Sequence, residues 1–183
     1  ASIGLLVMVF SVSALPPETD SKKNAPEVPD LQKIKEEVNN PRSRYYYPEL
    51  MKRYEVYDTT RLTIDDYRHL YLGAMYQEDY NPYRKSEYRD RIQELYYRPD
   101  HSRPELDSII AYAELSLADD PFDLEQMNYL IYALKGRGKT NKAAIWQYRL
   151  NHLLQAIVTT GTGLDPENAW YVINPRHEYN IVN

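Results

Sequence analysis

SRPELDSIIAYAELSLADDPFDLEQMNYLIYALKGRGKTNKAAIWQYRLNHLLQAIVT, residues 102–159, is the stretch whose reading decides the fold. Its apolar residues recur at spacings of three and four: Leu106, Ile109, Ile110, Ala113 and Leu117 first, then the runs on either side of Gly136-Arg137-Gly138-Lys139. That period gathers one apolar stripe on one face of each segment, which is how a packed α-helix reads. Ser102 stands where an N-cap is needed and Pro104 falls in the first turn, while Asp120-Pro121 stops the run. The stretch therefore predicts helices over 102–119, 122–136 and 140–159, joined by turns short enough to make neighbours antiparallel.

The same texture continues upstream in shorter pieces. Leu31, Ile34 and Val38 predict a helix over 31–39, stopped by Pro41. A second opens at Pro48 and carries Leu50, Met51, Tyr54 and Tyr57 on its apolar side. A third starts from the N-cap candidate Thr63, with Asp65 and Asp66 in its first turn, and runs to about residue 79. Leu72 and Tyr76 lie off the edge of its main apolar face, so this helix should be packed on more than one side, and Gly73-Ala74 lets a neighbour come close. Asn81-Pro82 ends it, and Tyr88, Ile92, Leu95 and Tyr96 predict another helix over 85–97. After Thr160 the loop pairs Gly161-Thr162-Gly163 and Asp165-Pro166 precede two runs rich in aromatic and β-branched residues, 170–173 and 179–182, which read as β-strand.

Leu130, Leu134, Gly138 and Ala143, with Pro121 where a repeat would end, are similar to one tetratricopeptide hairpin, although Ile131 replaces the usual glycine and no clean second copy lies upstream. The expected fold class is mainly α: antiparallel helical hairpins, a tetratricopeptide-like α–α array over residues 31–160, with a short C-terminal β segment in 161–183.

At the other end, residues 1–14 (ASIGLLVMVFSVSA) carry no charge and close on Val12-Ser13-Ala14. The apolar run is too short to span a bilayer and reads as a secretory leader lacking its basic start. Four prolines and mixed charges in residues 15–30 predict a disordered linker. The strand-like run at the end leads to the expectation that the protein continues past Asn183. Zero cysteines remove disulfides and thiolate chemistry, which suits an exported, periplasmic or released protein. With 43% hydrophobic and 27% charged residues the chain is globular, and a net charge of −5 argues against nucleic acid as a partner.

Two passages carry a family likeness: PRSRYYYPELMKRYEVYDTTRLTIDDYRHLYLGAMYQEDYNPY at 41–83 and TGTGLDPENAWYVI at 160–173. They resemble a family of exported Bacteroidetes proteins catalogued as domain of unknown function 4919. The resemblance implies an exported, mainly helical protein and brings no catalytic residues with it.

Chemical motifs are sparse. Ala133 to Thr140 matches a relaxed phosphate loop, but amphipathic helix precedes it where a strand is required, so a helix–helix turn is expected and no nucleotide. His69, His101, His152 and His177 show no metal-ligand spacing, and neither metal nor cofactor is expected. His177, after a loop, is the most eligible catalytic histidine. Asp65/Asp66 and Asp119/Asp120 are explained by helix ends.

What is left is tyrosine: 13 of 19 fall in residues 45–97, which makes that stretch the place to separate packing from contact. Tyr54, Tyr67, Tyr71, Tyr88 and Tyr96 sit at packing positions. Tyr45, Tyr46, Tyr47, Tyr80 and Tyr83 flank prolines in loops or helix ends, where core demands are weaker, and some of them are expected to line a groove between helices. The functional expectation is a non-catalytic interaction module binding an envelope or secreted protein, a peptide or a glycan. The alternatives are a hydrolase using carboxylates or His177, completed by a further C-terminal part, and a structural envelope component.

Overall fold

The computed structural model describes residues 25–56 and 62–182. The leader-like residues 1–14, the first part of the expected linker and Tyr57 lie outside the described residues. The elements are α1 (Leu31–Asn39), α2 (Tyr47–Glu55), α3 (Ile64–Gly73), a 3-10 turn (Ala74–Tyr76), α4 (Arg89–Tyr96), α5 (Arg103–Asp119), α6 (Leu124–Gly136), α7 (Thr140–Val158), a second 3-10 turn (Pro166–Asn168) and α8 (Pro175–Val182). The fold is mainly helical, with no strand among the described residues.

α3 is the central rod. Every residue from Asp66 to Gly73 is buried, because α1, α2 and α7 pack around it. Thr63 starts it with a capping box: its hydroxyl accepts from Asp66 N at 3.2 Å, and the Asp66 carboxylate accepts from Thr63 N at 2.9 Å. The same carboxylate takes Arg44 and Arg53, each at 3.2 Å, which ties the turn before α2 and α2 itself to α3. Gly73 is where α1 approaches, since a Cβ there would stand 2.8 Å from Val38 Cγ1 and 3.3 Å from the Tyr47 ring. α3 ends six residues short of 79: the chain tightens into the 3-10 turn at Ala74, and Gln77 Nε2 donates to Gly73 O at 3.1 Å. α4 likewise starts at Arg89 rather than 85, because Ser86 Oγ accepts from Tyr88 N at 3.1 Å and offers the backbone a turn instead.

α5 opens on a second capping box, Ser102 with Glu105. α6 returns antiparallel to it: the end of α6 meets the start of α5, where Gly136 faces Leu106 and Arg137 Nε donates to Asp107 Oδ1 at 2.7 Å. α7 packs on α6 and on α3, joining the two halves. Between α6 and α7 the phosphate-loop look-alike is a helix stop. Gly138, at φ +71°, donates to Lys135 O at 2.9 Å, and Lys139 N donates to Leu134 O at 2.8 Å. Those two bonds are the Schellman pattern, in which a left-handed residue turns the chain and satisfies the last carbonyls.

The tyrosines fill the seam. Tyr54, Tyr67 and Tyr71 are 2%, 0% and 1% exposed, and with Phe122 they form a ring cluster at centroid distances of 5.7–6.2 Å. Tyr88 stacks on Tyr112 at 5.3 Å, and Tyr96 meets Tyr129 at 4.5 Å.

The C-terminal segment corrects the strand expectation. Residues 170–173 form no strand, because side-chain hydroxyls take their backbone groups: Tyr171 N donates to Thr160 Oγ1, Ile173 N to Tyr71 Oη, and Tyr80 Oη donates to Ile173 O. Residues 179–182 belong to α8. Asn174 Oδ1 accepts from Arg176 N at 3.0 Å and Pro175 is the first helical residue, an Asn-Pro start signal that outweighs the β-branched content. Of the linker expected over 15–30, residues 25–30 are described, and Glu27 is bound there: its N–H donates to Thr159 O at 2.9 Å and its carboxylate meets Arg68 at 3.0 Å.

Candidate functional site

Four segments that are distant in sequence meet at one corner: the start of α2, the loop after the first 3-10 turn, the α5–α6 turn, and the run into α8. They enclose a cleft of about 210 Å³. Tyr47 enters it as the first residue of α2, beside Pro48 in the first turn. Tyr80 is held across it by the 2.6 Å bond from its hydroxyl to Ile173 O, so the loop carrying it is pinned to the C-terminal segment. Asp120 ends α5 and Asp123 caps α6, each accepting backbone N–H bonds from the turn between the two helices.

The cations at this corner are spoken for. Arg84 donates to Asp119 O and Oδ1 at 2.7 and 3.0 Å and to Asp79 O at 2.5 Å. Arg176 donates to Arg84 O at 2.7 Å and lies 3.6 Å from Asp123 Oδ2. Each guanidinium thus already faces a carboxylate of the fold, Asp119 for Arg84 and Asp123 for Arg176.

The acids and the histidine are strongly perturbed. Burial, reinforced by the neighbouring Asp123 carboxylate, pushes Asp120 up to about 6 against the pull of Phe122 N–H, Arg84 and Arg176. Burial raises Asp123 as well. His177, 2% exposed, is driven down to about 3 by burial and then by Arg176, so it is a neutral imidazole. Its tautomer follows from its neighbours. Tyr71 Oη accepts from Ile173 N at 3.2 Å and lies 2.7 Å from His177 Nδ1, so the phenol proton points to Nδ1 and the imidazole proton resides on Nε2. That Nε2–H is buried with no hydrogen-bond partner, and so is Asp123 Oδ2. Unsatisfied buried polar atoms are costly, and the one on His177, a residue that lines the cleft, marks a place where a ligand or water completes the bonding.

Of the five tyrosines singled out from the sequence, Tyr47 and Tyr80 line this cleft. Tyr45 lines a different one, stacked on His69 at 3.6 Å between centroids. Tyr46 is the residue before α2, and Tyr83 stands 75% exposed near the rim without lining the cleft. His177 does belong to the cleft, while His69, His101 and His152 are bound into packing elsewhere: His69 between Asp65 O and Glu37, His101 between Leu95 O and Tyr132, His152 on Tyr148. Asp120 was hidden because Asp-Asp-Pro at a helix end already has a structural explanation. Only the three-dimensional return of 173–177 reveals what faces it. Among the described residues no group of three or more His, Asp or Glu side chains is placed to hold a metal ion, and no helix is long and apolar enough to cross a membrane.

Over residues 32–183 the chain matches the model of the family described as domain of unknown function (DUF4919), and it belongs to that family. No curated protein matches it, and no solved structure does.

Proposed function

We propose that this DUF4919 chain is an exported, non-catalytic helical binding module whose corner cleft takes one saccharide unit of a glycan. The observation that carries the reading is the cleft's mixture of groups: two tyrosine rings, with Gln77, Asn81, Asp120, Asn174 and His177 around them, and no uncommitted cation. A neutral sugar suits that mixture, because each hydroxyl both donates and accepts and the C–H faces of the ring lie on aromatic faces. Phosphate or carboxylate ligands are less well served, because Arg84 and Arg176 each already face a carboxylate of the fold, Asp119 and Asp123. A cleft of about 210 Å³ is also smaller than the several hundred Å³ typical of drug-sized sites, which suits a single ring. Export rests on the leader-like residues 1–14, and the absence of cysteine is compatible with it. The tetratricopeptide-like reading of α5–α7 belongs to the same proposal and is supported by buried Leu130, Leu134 and Ala143 around the Gly138 turn.

One observation favours a second reading. A carboxyl pushed up to about 6 is poised for general acid–base work near neutrality, so Asp120 could serve a glycoside hydrolase. A soluble oligosaccharide panel, titrated calorimetrically and followed for release of reducing ends, separates the two. The binding reading expects saturable heat with no new reducing ends, and weakening of about ten-fold or more in Tyr47→Ala. Release of reducing ends that Asp120→Asn abolishes would replace it with the hydrolase, and unaltered affinity in Tyr47→Ala would remove the cleft from the account.

A further inference from the structure

A second cavity, about 270 Å³, lies behind the first and shares Met51, Ala118 and Pro121 with it. At its base is Arg149, 4% exposed, on the inner face of α7. Its guanidinium carbon sits 4.7 Å from the Tyr54 ring centre and 4.7 Å from that of Trp146, and Nη2 donates to Tyr54 O at 2.6 Å and Glu55 O at 3.3 Å at the C-terminal end of α2. Nε is buried without a partner, and Nη1 has none among the described residues. No carboxylate among the described residues reaches ion-pair distance of Arg149, whereas the other buried arginine, Arg68, holds both Glu27 and Asp65 at 3.0 and 3.2 Å. Among the described residues Arg149 is answered only by carbonyl dipoles and ring faces, which leaves a buried cation undercompensated.

We infer that this cavity is a binding site for a small monocarboxylate with an apolar body. The carboxylate meets Arg149, where a charge-assisted bond gains most because the guanidinium is already dry and held in place. The body lies against Trp146 and Leu117. The rim explains the choice of anion: Glu55 and Glu114 stand exposed beside the mouth with Lys142, so a dianion such as phosphate meets two negative charges that a monoanion tolerates better. The inference does not depend on what the corner cleft binds.

The probes are benzoate, the neutral near-isostere benzyl alcohol, and inorganic phosphate, each titrated into the protein at low chloride while the indole N–H resonance of Trp146 is followed. Benzoate is expected to shift that resonance saturably, with benzyl alcohol about ten-fold or more weaker and phosphate without effect. Arg149→Gln is expected to abolish the difference between benzoate and benzyl alcohol. Because that change also loosens the end of α2, Glu114→Gln on the exposed face of α5 supplies an independent arm, with benzoate expected to bind a few-fold tighter. Equal response to benzoate and benzyl alcohol, a linear response to benzoate, or unchanged benzoate affinity in Glu114→Gln would each overturn the site.

Discussion

At the scale of single residues the corner cleft depends on Tyr71, whose hydroxyl takes Ile173 N–H and serves His177 Nδ1. Tyr71→Phe keeps the ring in the core and strands both partners, so it should cost about 1–3 kcal/mol in chemical denaturation without a change in helical content. Asp120 and His177 give a sharper test through pH. A folded-state pKa of about 3 for His177 lies below its unfolded value, so this residue makes stability fall as pH drops through about 6.5 and below. Asp120, raised to about 6, acts the opposite way: it favours the folded state in acid, and that contribution is lost as pH rises between about 4 and 6. Between pH 4 and 6 the two slopes oppose each other. Asp120→Asn should therefore expose a loss of stability on acidification of up to about 1.4 kcal/mol per pH unit, and His177→Gln should tilt the profile the other way. Parallel profiles for the two variants would contradict the assigned protonation states.

At the scale of elements, much was legible because it is local. Thr63 and Ser102 announce their helices through side chains that bond three residues on, and Gly138 announces a stop through the one backbone conformation that other residues resist. Gly73 was legible as a close approach, and its contact with Val38 gives it a partner. Gly73→Ala should destabilise by about 1–3 kcal/mol, and by less in a Val38→Ala background, a coupling that a double-mutant cycle would measure. Gly138→Ala should cost about 1–2 kcal/mol by forcing a Cβ into the left-handed region. The C-terminal segment was misread because Tyr, Val and Ile favour strands only where a ladder partner exists, and here the backbone N–H groups of Tyr171 and Ile173 are taken by the hydroxyls of Thr160, 11 residues back, and Tyr71, 102 residues back. The Asn174-Pro175 start of α8 was the local cue. Asn174→Ala should cost about 1 kcal/mol and deprotect the Arg176 amide to hydrogen exchange.

At the scale of the whole molecule, the periodicity of residues 102–159 already carried the helical class, while neither cavity was legible. The corner cleft joins residues from positions 47 to 177, and the second cavity hides its cation inside a helix whose sequence makes Arg149 look like one more surface charge. Proximity to prolines singled out five tyrosines, of which Tyr47 and Tyr80 line the cleft; that reasoning had no means of separating them from Tyr45, Tyr46 and Tyr83. The account's central claim is that the corner cleft is a sugar-sized binding site. Its most direct test is a titration of the protein with a panel of soluble oligosaccharides, mapped by backbone and imidazole NMR shifts. The account predicts that a binding oligosaccharide moves the resonances of Tyr47, Tyr80, Asp120 and the His177 Nε2–H together, with one affinity and an amplitude that Tyr47→Ala removes. Saturable shifts confined to another face, with the His177 Nε2–H resonance unmoved, would contradict it.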